Sequence, residues 1–328
     1  MKNRKYLLPG ILIAVFVMFA ACPEPDDKSS GDNGKYAELF DTSKGFPADL
    51  SNSWKIYGHH NPLITQGFGA DPTVMVYKDR VYVFASNDSL MYNDNGKVIQ
   101  MTYSGGIQGL RAISSADLVN WTDHGIINVG DNPPSTNQLD PYGPPVTPYK
   151  ARAWAPSAVW KNIGGQDKFF IYFADNGIGV ISADSPTGPW NSPLNKLMID
   201  RDTPTCQASA DANDNLIDAD GVHWLFDPGA MVDDDGTGYI YFGGGTVGNN
   251  NARRARLGEN MVSLAEGEPQ RWGPPESLFE DNEIAKINGK YYYSYCKTGG
   301  IIAYKTSDEP LGTYSTAKDI MNSPQSQF

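Results

Sequence analysis

The sequence predicts an all-β fold of repeated antiparallel meanders, and three observations carry that prediction. With 34 Gly, 23 Pro and 18 Tyr in 328 residues, and few long helix-forming runs, the composition favours short strands joined by tight turns. Four segments share one plan: a short apolar strand led by a polar or acidic residue, a turn, an aromatic-rich strand, then a strand carrying Ser and Asp before Trp or Tyr. Turn signals fall at matching places, Lys78-Asp79-Arg80, Gly164-Gly165, Asp234-Asp235-Gly236 and Asn288-Gly289. Meanders repeated at this size form the blades of a β-propeller, a ring that leaves no long strand edge exposed.

The N-terminus stands apart from the repeats. Lys2, Arg4 and Lys5 precede an apolar run that ends at Cys22, the charged and apolar regions of an export signal over residues 1–21. The run falls short of the roughly 20 apolar residues that a bilayer-spanning helix needs. Phe19-Ala20-Ala21-Cys22 resembles a bacterial lipobox, with Phe19 where Leu is usual, so Cys22 is the candidate lipidation site; an ordinary small-residue cleavage site is the alternative. Residues 22–35 are polar and acidic and read as a flexible tether, leaving residues 36–328 as the propeller domain. The expected location is the outer membrane or cell surface, held by the lipid, or the periplasm if no lipid is attached.

The first repeat is ADPTVMVYKDRVYVFAS followed by GLRAISSADLVNWTDHG. WAPSAVWKNIGGQDKFFIYFA and GIGVISADSPTGPW make the second. FDPGAMVDDDGTGYIYFGGG opens the third, and FEDNEIAKINGKYYYSYC with GGIIAYKTSDEPLGTYS forms the fourth. Asp71 lies eleven residues before Tyr82, Glu280 eleven before Tyr291 and Asp227 twelve before Tyr239, so three acids occupy nearly equivalent positions; the second repeat has Trp154-Ala155-Pro156 there. The first strand of each propeller blade lines the central channel, which sends all three acids toward one pocket. Carboxyls gathered in one pocket raise the pKa of at least one of them, so a proton donor and a proton acceptor coexist near neutral pH. Hydrolysis of a glycosidic bond needs that pair.

ADPTVMVYKDRVYVFAS, SSADLVNWTDHG, WAPSAVWK, SADSPTGPW, FDPGAMVDDDGTGYIYFG and FEDNEIAKINGKYYYSY resemble successive blade motifs of glycoside hydrolase family 43, over roughly residues 60–328. The resemblance implies a five-bladed propeller that hydrolyses arabinan, arabinoxylan or xylan with inversion of configuration, cleaving L-arabinose or D-xylose linkages. It implies Asp71 as general base, Asp227 as the acid that orients the donor and raises its pKa, and Glu280, six residues before Lys286, as general acid. Glu283 competes for the last role, but strand alternation would turn it to the opposite face. The repeats number about four, and the fifth blade, which in the family carries a histidine near a bound metal ion, would follow Phe328, so the domain is expected to be C-terminally incomplete. No cofactor is implied as required, no metal ligand is assigned, and a structural calcium ion in the central channel is implied by the resemblance alone. Two readings remain beside this one: a carbohydrate-binding propeller lipoprotein without turnover, and a retaining, fructan-type propeller glycosidase.

Trp154 could stack on a sugar ring or simply fill the channel wall. Arg111 could bind a hydroxyl or pair with an acid, and His60, beside His59, could reach the pocket mouth. Trp121 and Trp190 are expected to pack the blades. Asp233-Asp234-Asp235-Gly236 lacks the alternate-ligand spacing of a calcium loop and reads as a hairpin turn. Cys206 and Cys296 are expected as two buried free thiols, a disulfide being the alternative. Insertions at 128–150 and 191–225 are long enough to shape the pocket. The expected partners are an oligo- or polysaccharide and, through the lipid, a membrane. A net charge of −12 with no basic cluster beyond Arg253, Arg254 and Arg256 argues against nucleic acid, and a monomer is expected.

Overall fold

The computed structural model describes residues 63–322, apart from residues 66, 68, 89, 93–94, 96–97, 102–106, 108, 131–143, 150–151 and 273–276. The described residues contain strands and no helix, in four antiparallel blades. Blade I is β1 (Ala70–Tyr77), β2 (Arg80–Ser86), β5 (Gly109–Ser115) and β6 (Thr122–Asn128), with a separate hairpin of β3 (Leu90–Tyr92) and β4 (Val98–Met101). Blade II is β7 (Trp154–Ile163), β8 (Gln166–Ala174) and β9 (Ile178–Ala183), extended by single bridges from Ile178 to Ile199 and Ser182 to Asn191. Blade III is β10 (Gly229–Val232), β11 (Gly238–Phe242), β12 (Ala252–Arg256) and β13 (Gln270–Trp272); blade IV is β14 (Leu278–Ile287), β15 (Lys290–Lys297), β16 (Ile301–Ser307) and β17 (Lys318–Asn322). The fifth blade that the resemblance implies is not among the described residues.

The hairpin turns sit where the sequence puts them. Lys78, Gly164 with Gly165, Gly236, and Asn288 with Gly289 all take left-handed backbone conformations, as tight connections between twisted strands require. Asp233-Asp234-Asp235-Gly236 is the β10–β11 turn, and Lys286 of blade IV pairs with Asp233 and, at 2.9 Å, with Asp234.

The core lies between blades, and strand alternation explains it. In β8, Phe169, Ile171 and Phe173 pack toward blade I against Met75, Phe84 and Leu110. Phe170 and Tyr172 face the other way, against Ile240, Phe242 and Ala255 of blade III. A sheet covered on both faces needs apolar residues at every position, hence the unbroken run Phe169–Ala174. Tyr241 of blade III and Tyr291, Tyr293 and Tyr295 of blade IV fill the next gap. Trp190 sits edge-on to Phe84 in the gap between blades I and II, in its expected packing role.

The first strands β1, β7, β10 and β14 stand side by side around a cavity of about 730 Å³. Hydroxyls stitch them together: Ala158 N–H donates to Thr73 Oγ1 at 3.3 Å and Ala230 N–H to Ser157 Oγ at 2.8 Å. Gly229 lies so close to β14 that a Cβ there would stand 2.4 Å from the Asn282 carbonyl oxygen.

Candidate active site

At one end of the channel the first strands break their ladders in the same way. Pairing is interrupted between Ala70 and Thr73 in β1, between Trp154 and Ser157 in β7, and between Glu280 and Glu283 in β14. The residue after each break point turns left-handed: Asp71 at φ 48°, Ala155 at 39° and Asp281 at 62°, with Asp227 at 49° just before β10. Such bulges re-aim side chains, and aspartate tolerates the left-handed region better than most residues. Asp71, Asp227 and Asp281 all line the cavity.

This corrects the register of the fourth repeat. Asp71 stands seven residues before the Lys78 turn, and so does Asp281 before the Asn288 turn. The counterpart of Tyr82 is Tyr292 rather than Tyr291, so the residue equivalent to Asp71 is Asp281, and Glu280 matches Ala70 and Trp154. Three consecutive tyrosines concealed the one-residue slip. The alternation argument against Glu283 also fails, because the bulge resets the pleat and it is Glu283, not Glu280, that lines the cavity. Electrostatics separates the two glutamates. Glu280 is pushed up to about 7 by burial and then by the charge of Asp71, whereas Glu283 reaches about 7 through burial alone, partly opposed by the Ile284 N–H.

The remaining acids are tied into the same field. Asp71 is raised by burial and lowered by the Ser86 hydroxyl, which also accepts the Ala155 N–H at 3.0 Å. Asp227 is raised well above the usual carboxylate range by burial, then by Asp281, Asp71 and Glu280, and opposed by the Asp281 N–H that donates to its Oδ2 at 2.9 Å. Asp88, unnoticed in the sequence, is pushed up to about 6 by burial and by Asp71. Carboxyls packed this densely titrate as a set rather than one by one.

An aromatic frame borders the acids. Trp224 meets Phe226 edge-on at 5.5 Å and Phe279 at 5.1 Å, and these two phenylalanines immediately precede Asp227 and Glu280. His223 stacks on Trp224 at 4.9 Å, its Nδ1 accepting the Thr246 and Val247 N–H groups, which leaves Nε2–H to donate to Asp214. Arg201 and Arg253 hold the 191–225 insertion that delivers Trp224, by donating to the carbonyls of Val222, His223, Thr205 and Asp220. That insertion reaches the aromatic rings of Phe226 and Phe279 through Trp224, and none of its residues lines the cavity. Trp224 itself went unnoticed, because nothing local distinguishes it from a packing tryptophan.

The other sequence candidates fare differently. Trp154 does not line the cavity; Arg152 stacks over its ring at 4.1 Å and pairs with Asp175. Arg111 is engaged with Asp123 at 2.8 Å, the acid-pairing alternative. His60 and Cys22 lie outside the described residues, as does most of the 128–150 insertion. Cys206 and Cys296 are buried free thiols. Among the described residues, the one group that could converge on a metal ion is Glu280, Asp281 and Cys296, whose ligand atoms lie within 4.8 Å of one another. Two carboxylates and a thiol pushed up to about 12 by burial do not match the six to eight oxygens that calcium takes.

Residues 59–326 match the family described as Glycosyl hydrolases family 43. The chain belongs to this family. Arabinoxylan arabinofuranohydrolases from Paenibacillus polymyxa and Bacillus subtilis are each 39% identical to it over 84% of the chain. The chain spans about half the length of these relatives, 43% and 54% respectively. Among solved structures it resembles the family 43 arabinoxylan arabinofuranohydrolase from Bacillus subtilis in complex with cellotetraose, with a TM-score of 0.66, 40% identity, and coverage of 78% of this chain and 54% of that one. An α-L-arabinofuranosidase from Clostridium thermocellum gives a TM-score of 0.58 at 33% identity, covering 83% of this chain and 79% of that one.

Proposed function

We propose that this family 43 chain is an inverting glycoside hydrolase that removes L-arabinofuranosyl side chains from arabinoxylan. The observation that carries the reading is the electrostatic linkage of three acids: Asp71 and Asp227 line the cavity, Glu280 acts on Asp227, and Glu280 is held near 7 by burial and by the charge of Asp71. A glutamic acid at that value is still protonated at mildly acid pH and gives its proton to the glycosidic oxygen as the bond to the sugar breaks. Asp71 takes a proton from a water that attacks the anomeric carbon from the opposite face. Asp227, fixed by the Asp281 N–H, stands beside this pair and orients the donor, while burial and the charge of Asp71 keep the proton on Glu280. Trp224 offers an apolar face on which a sugar ring can stack. Arabinoxylan is favoured over other polymers by the names of the relatives at 39% identity.

No step here uses a calcium ion. We also propose export and lipid attachment at Cys22, which rests on the sequence alone.

The test is sugar release from arabinoxylan, arabinan, xylan and fructan, followed by chromatography, with Asp71→Asn as the control. Arabinose from arabinoxylan, lost in the variant, supports the proposal. Xylose alone would reassign the substrate, and no sugar from a folded protein would overturn the hydrolase reading.

A further inference from the structure

We propose that Ser86 is a positioning residue of the active site, whose hydroxyl takes the Ala155 N–H of the neighbouring blade and gives its own proton to Asp71, so aiming the carboxylate that serves as base. The inference rests on the glycosidase reading above and adds a residue to it.

Geometry places it there. Ser86 is the last residue of β2, 1% exposed, and pairs with Ala70 of β1 on one side and Leu110 of β5 on the other. The Ala70–Ser86 rung stands directly before the bulge that turns Asp71 left-handed. A hydroxyl has one proton to give and two lone pairs to accept with. The Ala155 N–H, from the matching bulge of β7, fills one lone pair at 3.0 Å. The proton goes to the Asp71 carboxylate. One side chain thus joins the bulges of blades I and II and, held between two strands, fixes the direction of its bond to Asp71. An ionised carboxylate only accepts, so this bond favours the form of Asp71 that can take a proton from water.

The titratable groups that act with Asp71 are Asp88 after β2, Asp227 ahead of β10, and Glu280 and Asp281 of β14. Glu283 of β14 lines the same cavity but is raised by burial without Asp71, and blade II lends the lining no titratable group. The charge of Asp71 raises Asp88, Asp227, Glu280 and Asp281, whereas Asp71 is raised by burial alone and lowered by Ser86. Asp71 is therefore the first of the five to release its proton, while the other four are still neutral. Loss of the Ser86 hydroxyl leaves burial unopposed, and Asp71 then holds its proton to higher pH.

The experiment uses Ser86→Ala in the full chain, beside Ser86→Thr, which keeps the hydroxyl. Ser86→Cys, close in size and a weak donor, serves the same purpose if the alanine variant folds poorly. Side-chain carboxyl resonances are followed by carbon-13 NMR against pH, with Asp71→Asn assigning the Asp71 signal, and kcat/KM for arabinoxylan is measured on the same samples. The Asp71 midpoint is expected to rise by about one pH unit in Ser86→Ala and to return in Ser86→Thr, as loss of a hydrogen bond to a charged group implies. The acid limb of kcat/KM should rise with it, with about tenfold less activity below that limb and KM little changed. An Asp71 midpoint that stays in place overturns the proposal; a purely structural Ser86 would give that result, with less folded protein and no shift. A midpoint that moves while the acid limb stays also overturns it, because Ser86 would then not serve the base. A midpoint that moves in a chain that releases no sugar would support the placement of Ser86 and refute the glycosidase reading.

Discussion

Replacing Glu280 with glutamine should make the protein more stable as the pH rises, while removing its activity. Burial and the charge of Asp71 raise this group from 4.5 to about 7. Between those values the folded chain binds a proton that the unfolded chain has released, so stability falls as pH climbs through this window. At about 1.36 kcal/mol per pKa unit, the full loss is about 3 kcal/mol, complete above pH 7 and absent below pH 4.5. Glutamine cannot ionise and escapes the penalty. Urea unfolding of parent and variant at several pH values from 4 to 8 should thus show a stability difference that starts near zero and grows to about 3 kcal/mol in favour of the variant. Because the carboxyls titrate together, part of that gain comes from relief of Asp227 and Asp281, which the Glu280 charge raises. A difference that stays flat with pH, or that favours the parent at pH 8, would refute the placement of Glu280 in a buried acidic cluster.

Three other expectations follow from the site and its supports. Asp71→Asn should lower kcat by at least about 100-fold with KM for arabinoxylan little changed, since it removes the base and keeps the shape; a kcat within tenfold of the parent in steady-state assays would contradict the assignment. Trp224→Ala should raise KM about three- to tenfold, the worth of one aromatic stacking face, while the pH profile stays where it was. Gly229→Ala should destabilise the fold by more than about 2 kcal/mol in urea melts, because its Cβ would stand 2.4 Å from the Asn282 carbonyl.

The blades, their turns and the channel-facing acids were legible because each rests on short-range chemistry. Period-two alternation marks which faces of β8 are covered, and Asn288-Gly289 or Gly164-Gly165 can adopt conformations that few other pairs can. Asp71 and Asp227 announce themselves as acids ahead of apolar strands. The position of Asp281 was hidden, since a bulge shifts the register by a residue and the run Tyr291-Tyr292-Tyr293 gives no unique anchor; counting back from the Asn288-Gly289 turn would have found it. Trp224 was illegible for a different reason. Its place beside Phe226 and Phe279 depends on how Arg201 and Arg253 fold the long insertion over blade III, and those contacts join residues far apart in sequence. Trp154 holds in blade II the slot that Glu280 holds in blade IV, and Arg152 stacks over its ring.

The most direct test of the account is the configuration of the sugar at the moment of release. Proton NMR of the anomeric signal, recorded as the chain acts on an arabinofuranosyl-substituted xylo-oligosaccharide, should show the β-anomer of arabinose first, formed from an α-linkage, and no signal with Asp71→Asn. First appearance of the α-anomer would mean a covalent intermediate and would contradict a water activated by Asp71 opposite a protonated Glu280.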